Sequence, residues 1–117
     1  MSLPLPQPDV DLSVTEVRDR HARGEIELVD VREEYEFSAG RIADARHVPL
    51  DLLTMTAEVL DSPRPLVFYC RVGARSAHAA HAFRQAGYDA WSMTGGLREW
   101  TRAGLPLVPN GGRVADH

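Results

Sequence analysis

The chain has 117 residues, of which 44% are hydrophobic and 26% are charged, and its formal net charge is −4 at pH 7. This length suits one domain with one hydrophobic core, and we expect residues 1–117 to form it, with an ordered part over about residues 9–109. The acidic balance disfavours binding to nucleic acid, which needs a basic surface. Residues 1–11 have no basic start followed by an apolar run, so neither a signal peptide nor a membrane helix is expected.

Cysteine and histidine usage limits the chemistry further. Cys70 is the one cysteine of the chain, so no intrachain disulfide can form, and a reducing compartment such as the cytoplasm is expected. The histidines are scattered and do not combine with Cys70 in the spacing of a metal site, so no metal is expected. These histidines are His21, His47, His78, His81 and His117.

Short strands and short helices alternate along the first half of the chain. Ser13 and Glu16 have the spacing of a capping box, and Gly24 and Gly40 are expected to end the first two helices. The predicted elements are a strand at 10–12, a helix at 14–23, a strand at 26–31, a helix at 33–39, an extended piece at 46–48 and a helix at 50–60.

The second half is arranged around one strand. Residues 66–69, Leu-Val-Phe-Tyr, are an unbroken run of β-formers, typical of a strand buried on both faces, and the run ends at Cys70. Ser76 is predicted to cap a helix over residues 77–85, which Gly87 ends. The remaining elements are a strand at 90–93, a turn at 94–96, a helix at 97–103, an extended segment at 105–109 and a loose tail at 110–117.

Strands that alternate with helices predict an α/β fold of three layers, α/β/α, with a central parallel sheet of about five strands. In such sheets ligands bind at the carboxyl ends of the strands. Cys70 follows the predicted central strand directly. The sequence therefore predicts a functional site around this cysteine.

The residues after Cys70 favour a reactive thiol. Gly73 allows a tight turn, and the backbone N–H groups of this turn and of the next helix are expected to converge on one small volume. Arg71 and Arg75 add two positive charges, and a cysteine in such surroundings is expected to be largely thiolate near neutral pH. The alternative is that Cys70 is a small buried hydrophobic residue, which would need neither the glycine nor the arginines.

The stretch Cys-x-x-Gly-x-Arg-Ser at residues 70–76 resembles the active-site loop of rhodanese-like domains. The segment from Asp30-Val31-Arg32 to Val48-Pro49 is similar to the first signature segment of that family. Gly95-Gly96-x-x-x-Trp100 and residues 103–106 are similar to its C-terminal stretch. The resemblance covers nearly the whole chain and implies the rhodanese fold.

Three positions depart from the family pattern. Arg41 stands where the family more often has histidine, Asp44 where it has glycine, and His47 where it has asparagine. None of the three is the expected nucleophile. We expect them to affect fine substrate preference and to leave the fold unchanged.

The resemblance implies a sulfurtransferase that needs no metal or organic cofactor. Cys70 would take the outer, sulfane sulfur of a small anionic donor such as thiosulfate, and pass it from a persulfide to cyanide or a thiol. Arg71 and Arg75 would draw in the donor. The loop residues expected to bind the donor or the persulfide are Arg71, Val72, Gly73, Ala74, Arg75 and Ser76.

Loop length separates this chemistry from phosphate chemistry. Tyrosine-type cysteine phosphatases have an arginine six positions after the cysteine, and the phosphatases that resemble rhodanese domains also have a loop one residue longer. Here the sixth position is Ser76 and the arginine is Arg75, so a phosphatase is disfavoured. Two alternatives stay open: a non-catalytic module that binds a partner, and a relay component that passes sulfur between proteins.

Asp30 and Arg32 stand at the end of the second predicted strand. A carboxylate and a guanidinium so close together favour a structural ion pair that holds the following loop. A role in shaping the floor of the pocket is the alternative.

Overall fold

The computed structural model describes residues 10–56, 60 and 63–117. Among these residues, no helix has the length and apolar character that a membrane crossing requires. The strands are β1 (Asp11–Leu12), β2 (Glu27–Asp30), β3 (Arg46–His47), β4 (Leu66–Tyr69) and β5 (Ala90–Met93). The helices are α1 (Val14–Ala22), α2 (Glu34–Ala39), α3 (Leu53–Thr56), α4 (Ala74–Gln85) and α5 (Gly96–Arg102).

The strands form one parallel sheet in the order β1-β5-β4-β2-β3. β4 lies in the centre, and each of its four residues is buried, as a sheet covered on both faces requires. Because all strands run the same way, their carboxyl ends share one edge of the sheet, which we call the carboxyl edge. The predicted α/β fold with a parallel sheet of about five strands is confirmed.

Two hydrophobic clusters cover the two faces of the sheet. Successive residues of a strand point to opposite faces, so Phe68 packs with Phe83 of α4 in one cluster, whereas Val67 packs with Val17 of α1 and Trp100 of α5 in the other. The Phe68 and Phe83 rings meet edge to face with centroids 5.1 Å apart. The sheet is therefore covered by helices on both sides, and β4 is fixed in its place.

Local sequence signals locate several boundaries correctly. The side chain of Ser13 accepts a hydrogen bond from the N–H of Glu16 at 3.2 Å, so the predicted capping box starts α1. Gly24 has φ 69° just after this helix, a backbone conformation that glycine adopts without strain. Gly40 follows the end of α2, as predicted.

One predicted helix boundary is wrong, and the end of another predicted helix lies partly outside the described residues. Helix α4 begins at Ala74, and Gly73, with φ 109°, is its N-cap, so Ser76 lies inside the first turn. A positive φ at Gly73 lets the chain enter the helix directly after the turn, and no serine cap is needed there. The helix predicted over 50–60 is a 3₁₀ turn over Leu50–Leu52 that continues into α3, and residues 57–59 lie outside the described residues.

The expectation of a loose tail at residues 110–117 also differs from the structure. The N–H of Arg113 donates to the carbonyl of Ala39 at 2.9 Å, and Ala115 is 5% exposed. The hydroxyl of Tyr35 donates to the carbonyl of Asp116 at 3.0 Å. This segment packs along α2 because backbone groups and one alanine supply contacts that its polar composition does not suggest.

Candidate functional site

Cys70 lies at the carboxyl edge, directly after β4, and is 1% exposed. Its sulfur accepts hydrogen bonds from two backbone N–H groups, that of Gly73 at 3.1 Å and that of Ser76 at 3.4 Å. Both donors belong to the turn and the first turn of α4. Backbone N–H groups at the start of a helix favour negative charge, so the surroundings of this sulfur suit a thiolate.

The connection between β5 and α5 holds the backbone of Cys70 and Arg71 by hydrogen bonds. The N–H of Leu97 donates to the carbonyl of Cys70 at 2.8 Å, and that of Arg98 donates to the carbonyl of Arg71 at 3.0 Å. At Gly96 a Cβ atom would lie 2.5 Å from the carbonyl oxygen of Cys70. Glycine at this position therefore allows the two backbones to approach, and this close contact fixes the position of the Cys70 backbone.

Ser76 connects the sulfur to β5. Its hydroxyl lies 3.5 Å from the sulfur of Cys70 and 2.8 Å from the hydroxyl of Ser92, and it can donate to the carbonyl of Gly73 at 3.2 Å. Ser76 and Ser92 are both buried. Sequence reasoning did not assign Ser92 to the site, since a serine within a buried strand carries no local signal for its partner.

The side chain of Arg75 is paired with Glu36 and does not point freely into the solvent around the loop. Its two terminal nitrogens donate to the two carboxylate oxygens of Glu36 at 2.8 and 2.9 Å. Glu36 is fully buried, whereas the side chain of Arg75 is 19% exposed. A bidentate arginine–carboxylate pair of this kind is strong and directional, so α2 holds the first turn of α4 in place.

The pKa values of this pair move apart, as each partner favours the charged form of the other. Burial acts to raise the pKa of Glu36, but the hydrogen bonds from Arg75 and from the N–H of Glu33 lower it below its ordinary value. The hydrogen bonds to Glu36 raise the pKa of Arg75, and Cys70 makes a smaller contribution in the same direction. Both groups are therefore charged at neutral pH, next to the sulfur.

Glu36 was missed as a site residue, although it lies within the stretch that resembles the family's first signature segment. It is an acidic residue in the first turn of a helix, where a favourable helix dipole already explains its presence. Its partner is 39 residues away in the chain. No local pattern could have paired them.

Asp30 and Arg32 form a second buried ion pair at the carboxyl end of β2. The Nη2 atom of Arg32 lies 2.7 Å from Asp30, and it also donates to the carbonyl of Gly40 at 2.8 Å, so the pair connects the two ends of the segment that contains α2. Burial acts to lower the pKa of Arg32, but the hydrogen bond and charge of Asp30 raise it overall. This pair does not contact the sulfur of Cys70 and holds the backbone beside the site.

The other loop residues lie on the rim. The side chain of Arg71 is 31% exposed, and its Nη2 atom lies 3.6 Å from the carboxylate of Asp116. Val72 is exposed, and Ala74 is the first residue of α4. The structure thus brings Gly73 and Ser76 to the sulfur, Arg75 to Glu36 and Arg71 to the rim.

Two other features lie apart from this cysteine. In the part of the chain that the structure describes, no group of three histidine, cysteine, aspartate or glutamate residues could hold a metal ion. A cleft of about 520 Å³ opens at the amino ends of β2 and β4, lined among others by Arg18, Ile26, Arg64 and Trp100. It lies at the opposite edge of the sheet from Cys70.

Comparison with known proteins agrees with the resemblance found in the sequence. The family model for the rhodanese-like domain matches residues 13–103. A sulfurtransferase of Allochromatium vinosum is 39% identical over 82 residues, which are 69% of this chain and 77% of that protein. An HTH-type transcriptional regulator of Mycobacterium tuberculosis is 36% identical over 106 residues, which are 88% of this chain but 46% of the regulator.

Solved structures agree with this relationship. The crystal structure of a rhodanese-related protein from Thermoplasma volcanium matches with a TM-score of 0.78 at 26% identity, and the match covers 84% of this chain and 96% of the other. The match of the family model extends over most of the chain and contains the Cys70 loop, α2 and β5. The chain belongs to the family of rhodanese-like domains.

Proposed function

We propose that this protein is a sulfurtransferase that moves a sulfane sulfur from a donor such as thiosulfate to a nucleophilic acceptor through a persulfide on Cys70. The observation that carries the proposal is the pair of backbone N–H groups, at 3.1 and 3.4 Å, directed at the sulfur of the one cysteine in the chain. They stabilise the thiolate charge on this atom, which carries it before the first half-reaction and again after the second. The relationship to a protein named a sulfurtransferase supports the same reaction class.

In the first half-reaction the Cys70 thiolate attacks the outer sulfur of thiosulfate. A sulfur–sulfur bond forms to Cys70, the bond between the two sulfurs of the donor breaks, and its electron pair leaves with sulfite. The negative charge moves from the cysteine sulfur to the terminal sulfur of the persulfide. The N–H groups of the loop would stabilise that charge in the same way as they stabilise the thiolate.

In the second half-reaction the acceptor attacks the terminal sulfur and leaves Cys70 as a thiolate again. Cyanide would become thiocyanate, and a thiolate would become a persulfide. No electron is gained or lost overall, so no redox cofactor takes part. Two half-reactions through one covalent intermediate give ping-pong kinetics. A nucleophilic thiol requires a reducing compartment, and the cytoplasm provides one.

The arginines have different tasks in this mechanism. Arg71, on the rim, attracts the anionic donor towards the sulfur. Arg75 keeps its charge near the sulfur, but Glu36 occupies both terminal nitrogens, so its main task is to hold the loop. The pair is a positioning device, and the donor is bound by the N–H groups and by Arg71.

Intact mass measures both half-reactions directly. Brief incubation with thiosulfate is expected to add one sulfur, about 32 Da, to Cys70, and cyanide is expected to remove it with release of thiocyanate. The variant Cys70→Ser should keep its fold and show neither change. Turnover retained in this variant would refute the persulfide mechanism.

A second candidate, a relay that receives sulfur from a protein, is favoured by one observation. The large hydrophobic residues that are exposed in the described part of the chain all lie in segments that follow the carboxyl ends of β2, β3 and β4. These segments leave the sheet at the edge that carries Cys70, and exposed apolar side chains of this kind are what a docking partner covers. These residues are Tyr35, Leu52, Met55 and Val72.

The relay and the small-molecule reaction differ in what loads Cys70. If thiosulfate leaves the mass unchanged, a cysteine desulfurase supplied with cysteine is the donor to try next. Met55→Glu should then slow loading from that protein, because a charge in an apolar interface is unfavourable. The same variant should leave loading by thiosulfate unchanged, since Met55 is 81% exposed and not among the loop residues.

A further inference from the structure

The C-terminal segment, residues 110–117, lies beyond the match to the family model, yet it reaches the rim of the Cys70 loop. It is anchored at the end of α2, where the N–H of Arg113 donates to the carbonyl of Ala39. At Gly40 a Cβ atom would lie 2.5 Å from the carbonyl oxygen of Arg113, so a glycine is needed for the segment to lie this close. Ala115 is buried, which fixes the direction of the chain towards residue 116.

Asp116 meets the site at two points. Its carbonyl accepts the hydrogen bond of the Tyr35 hydroxyl, and its carboxylate lies 3.6 Å from Nη2 of Arg71. Tyr35 and Glu36 are neighbours in α2, so one residue of this helix holds the C-terminal segment while the next holds Arg75. The carboxylate of Asp116 is itself fully exposed, so solvent can replace Arg71 as its partner.

We propose that Asp116 is a specificity-determining residue, which weakens the attraction of Arg71 for anionic donors and does so most strongly for donors with two negative charges. The inference rests on the proposed sulfur transfer and names the donor class of that site. Arg71 attracts anions, and the carboxylate of Asp116 offsets part of that attraction. The offset is larger for a dianion than for a donor with one negative charge or none.

The size of the effect follows from the charges. Interaction with a fixed carboxylate scales with the charge of the donor, so a dianion gains twice as much as a monoanion, in free energy, when Asp116 is neutralised. Because the carboxylate is exposed, water and salt screen the interaction. We expect a change of about three- to tenfold for a dianion and of about two- to threefold for a monoanion.

Two sulfane donors that differ in charge but undergo the same sulfur transfer test this inference. Thiosulfate carries two negative charges, whereas the methanethiosulfonate anion carries one, and each gives its outer sulfur to a thiolate and releases sulfite or methanesulfinate. In Asp116→Asn the KM for thiosulfate should fall more than that for methanethiosulfonate, with little change in kcat. Asp116→Glu keeps the charge and should keep the wild-type ratio of the two KM values. Tyr35→Phe removes the hydrogen bond that positions Asp116 and should act, more weakly, in the direction of Asp116→Asn.

A matched control is available on another helix. Asp19 in α1 is an exposed carboxylate that pairs with Arg18, and α1 packs on the face of the sheet opposite to the cluster that contains Cys70. Asp19→Asn changes the net charge by the same amount as Asp116→Asn. It should leave both KM values unchanged.

Alkylation of Cys70 tests the inference without sulfur transfer. Iodoacetate is negatively charged and iodoacetamide is neutral, and Cys70 is the one cysteine they can label. Asp116→Asn should raise the ratio of the iodoacetate rate to the iodoacetamide rate by about two- to threefold, and added salt should reduce this difference. Asp19→Asn should leave the ratio unchanged.

The outcomes distinguish the two proposals. An unchanged alkylation ratio in Asp116→Asn would overturn the role of Asp116 even if sulfur transfer works. A changed ratio in a protein that transfers sulfur from neither donor would support the role of Asp116 and refute the proposed function. Equal changes in the two KM values would also overturn the selection by charge.

Discussion

Two arginine–carboxylate pairs support the carboxyl edge of the sheet, and the chain brings them together in different ways. Asp30 and Arg32 are two residues apart, and both side chains are fully buried. Glu36 and Arg75 are 39 residues apart, and Arg75 keeps 19% of its side chain exposed. The first pair is a local brace of the β2 end, whereas the second connects two distant parts of the chain next to Cys70.

The difference teaches which pair serves the fold and which serves the site. Arg32 is fully buried: its Nη2 atom donates to Asp30 and to the carbonyl of Gly40, and its guanidinium carbon lies 5.7 Å from the centre of the Tyr69 ring. Its Nη1 atom is buried and has no hydrogen-bond partner among the described residues. Burial and the charge of Asp30 raise the pKa of Tyr69 well above its ordinary value. Tyr69 is therefore neutral beside the ion pair of Asp30 and Arg32. Arg75 is in partial contact with water, so the loss of Glu36 leaves its charge less buried than the charge of Arg32 after the loss of Asp30.

The largest expected effect is the loss of the local pair. Asp30→Asn leaves the Arg32 charge buried without its counter-ion, and loss of one partner of a buried pair typically lowers the free energy of unfolding by about 3–5 kcal/mol. Urea unfolding measures this change, with the exposed pair of Arg18 and Asp19 as reference, since Asp19→Asn should lower it by under about 0.5 kcal/mol. A smaller loss in Asp30→Asn than in Glu36→Gln would contradict the comparison.

A smaller loss of stability and a clear loss of activity are expected when the distant pair is opened. Glu36→Gln keeps the shape of the side chain but removes the charge that both Arg75 nitrogens contact, and we expect the free energy of unfolding to fall by about 1–3 kcal/mol. The rate of persulfide formation from thiosulfate should fall by about tenfold. Without the pair, the first turn of α4 is no longer held, and its N–H groups no longer point at the Cys70 sulfur. Rate and stability are measured on the same preparation.

The matched control for that variant is Glu34→Gln in the same helix. Glu34 is 78% exposed and contacts His47, not the loop. It should leave the rate of persulfide formation unchanged. Equal effects of the two substitutions would show that Glu36 acts through the stability of α2 and not through Arg75.

Acid should reproduce the effect of opening the distant pair. The pKa of Glu36 lies below its ordinary value of 4.5, so the unfolded chain binds a proton at this residue before the folded chain does. Its contribution to stability is therefore fully present above about pH 5.5 and is lost as the pH falls through the lowered pKa. The difference in stability between the protein and Glu36→Gln should shrink over that range, and a difference independent of pH would refute the assignment.

The sequence predicts those parts of the fold whose signals are local. The capping box at Ser13, the strand over residues 66–69 and the glycines after α1 and α2 all depend on neighbours in the chain, and the structure confirms them. The start of α4 was misplaced because a serine cap and a left-handed glycine are both good helix starts. Only the path of the chain around Cys70 decides between them.

Contacts between distant segments could not be predicted in this way. Nothing near Arg75 indicates that Glu36 binds it, and nothing in residues 110–117 indicates that Ala115 is buried or that Asp116 reaches Arg71. These contacts depend on which segments the sheet order brings to one edge. The alternation of strands and helices predicts a parallel sheet but not its strand order, and the C-terminal segment lies outside the residues that match the family model.

The smallest effect in this series is expected from Arg75→Lys, which keeps the positive charge near Cys70 and changes the geometry alone. A lysine cannot donate to both oxygens of Glu36 in one plane, so one hydrogen bond is lost and the free energy of unfolding should fall by about 0.5–1.5 kcal/mol. Persulfide formation should slow by less than in Glu36→Gln, since Glu36 still has a cationic partner. If the two variants slow the reaction equally, the bidentate geometry of the pair, and not its charge, positions the loop. If Arg75→Lys has no effect, a positive charge at residue 75 is sufficient to position the loop.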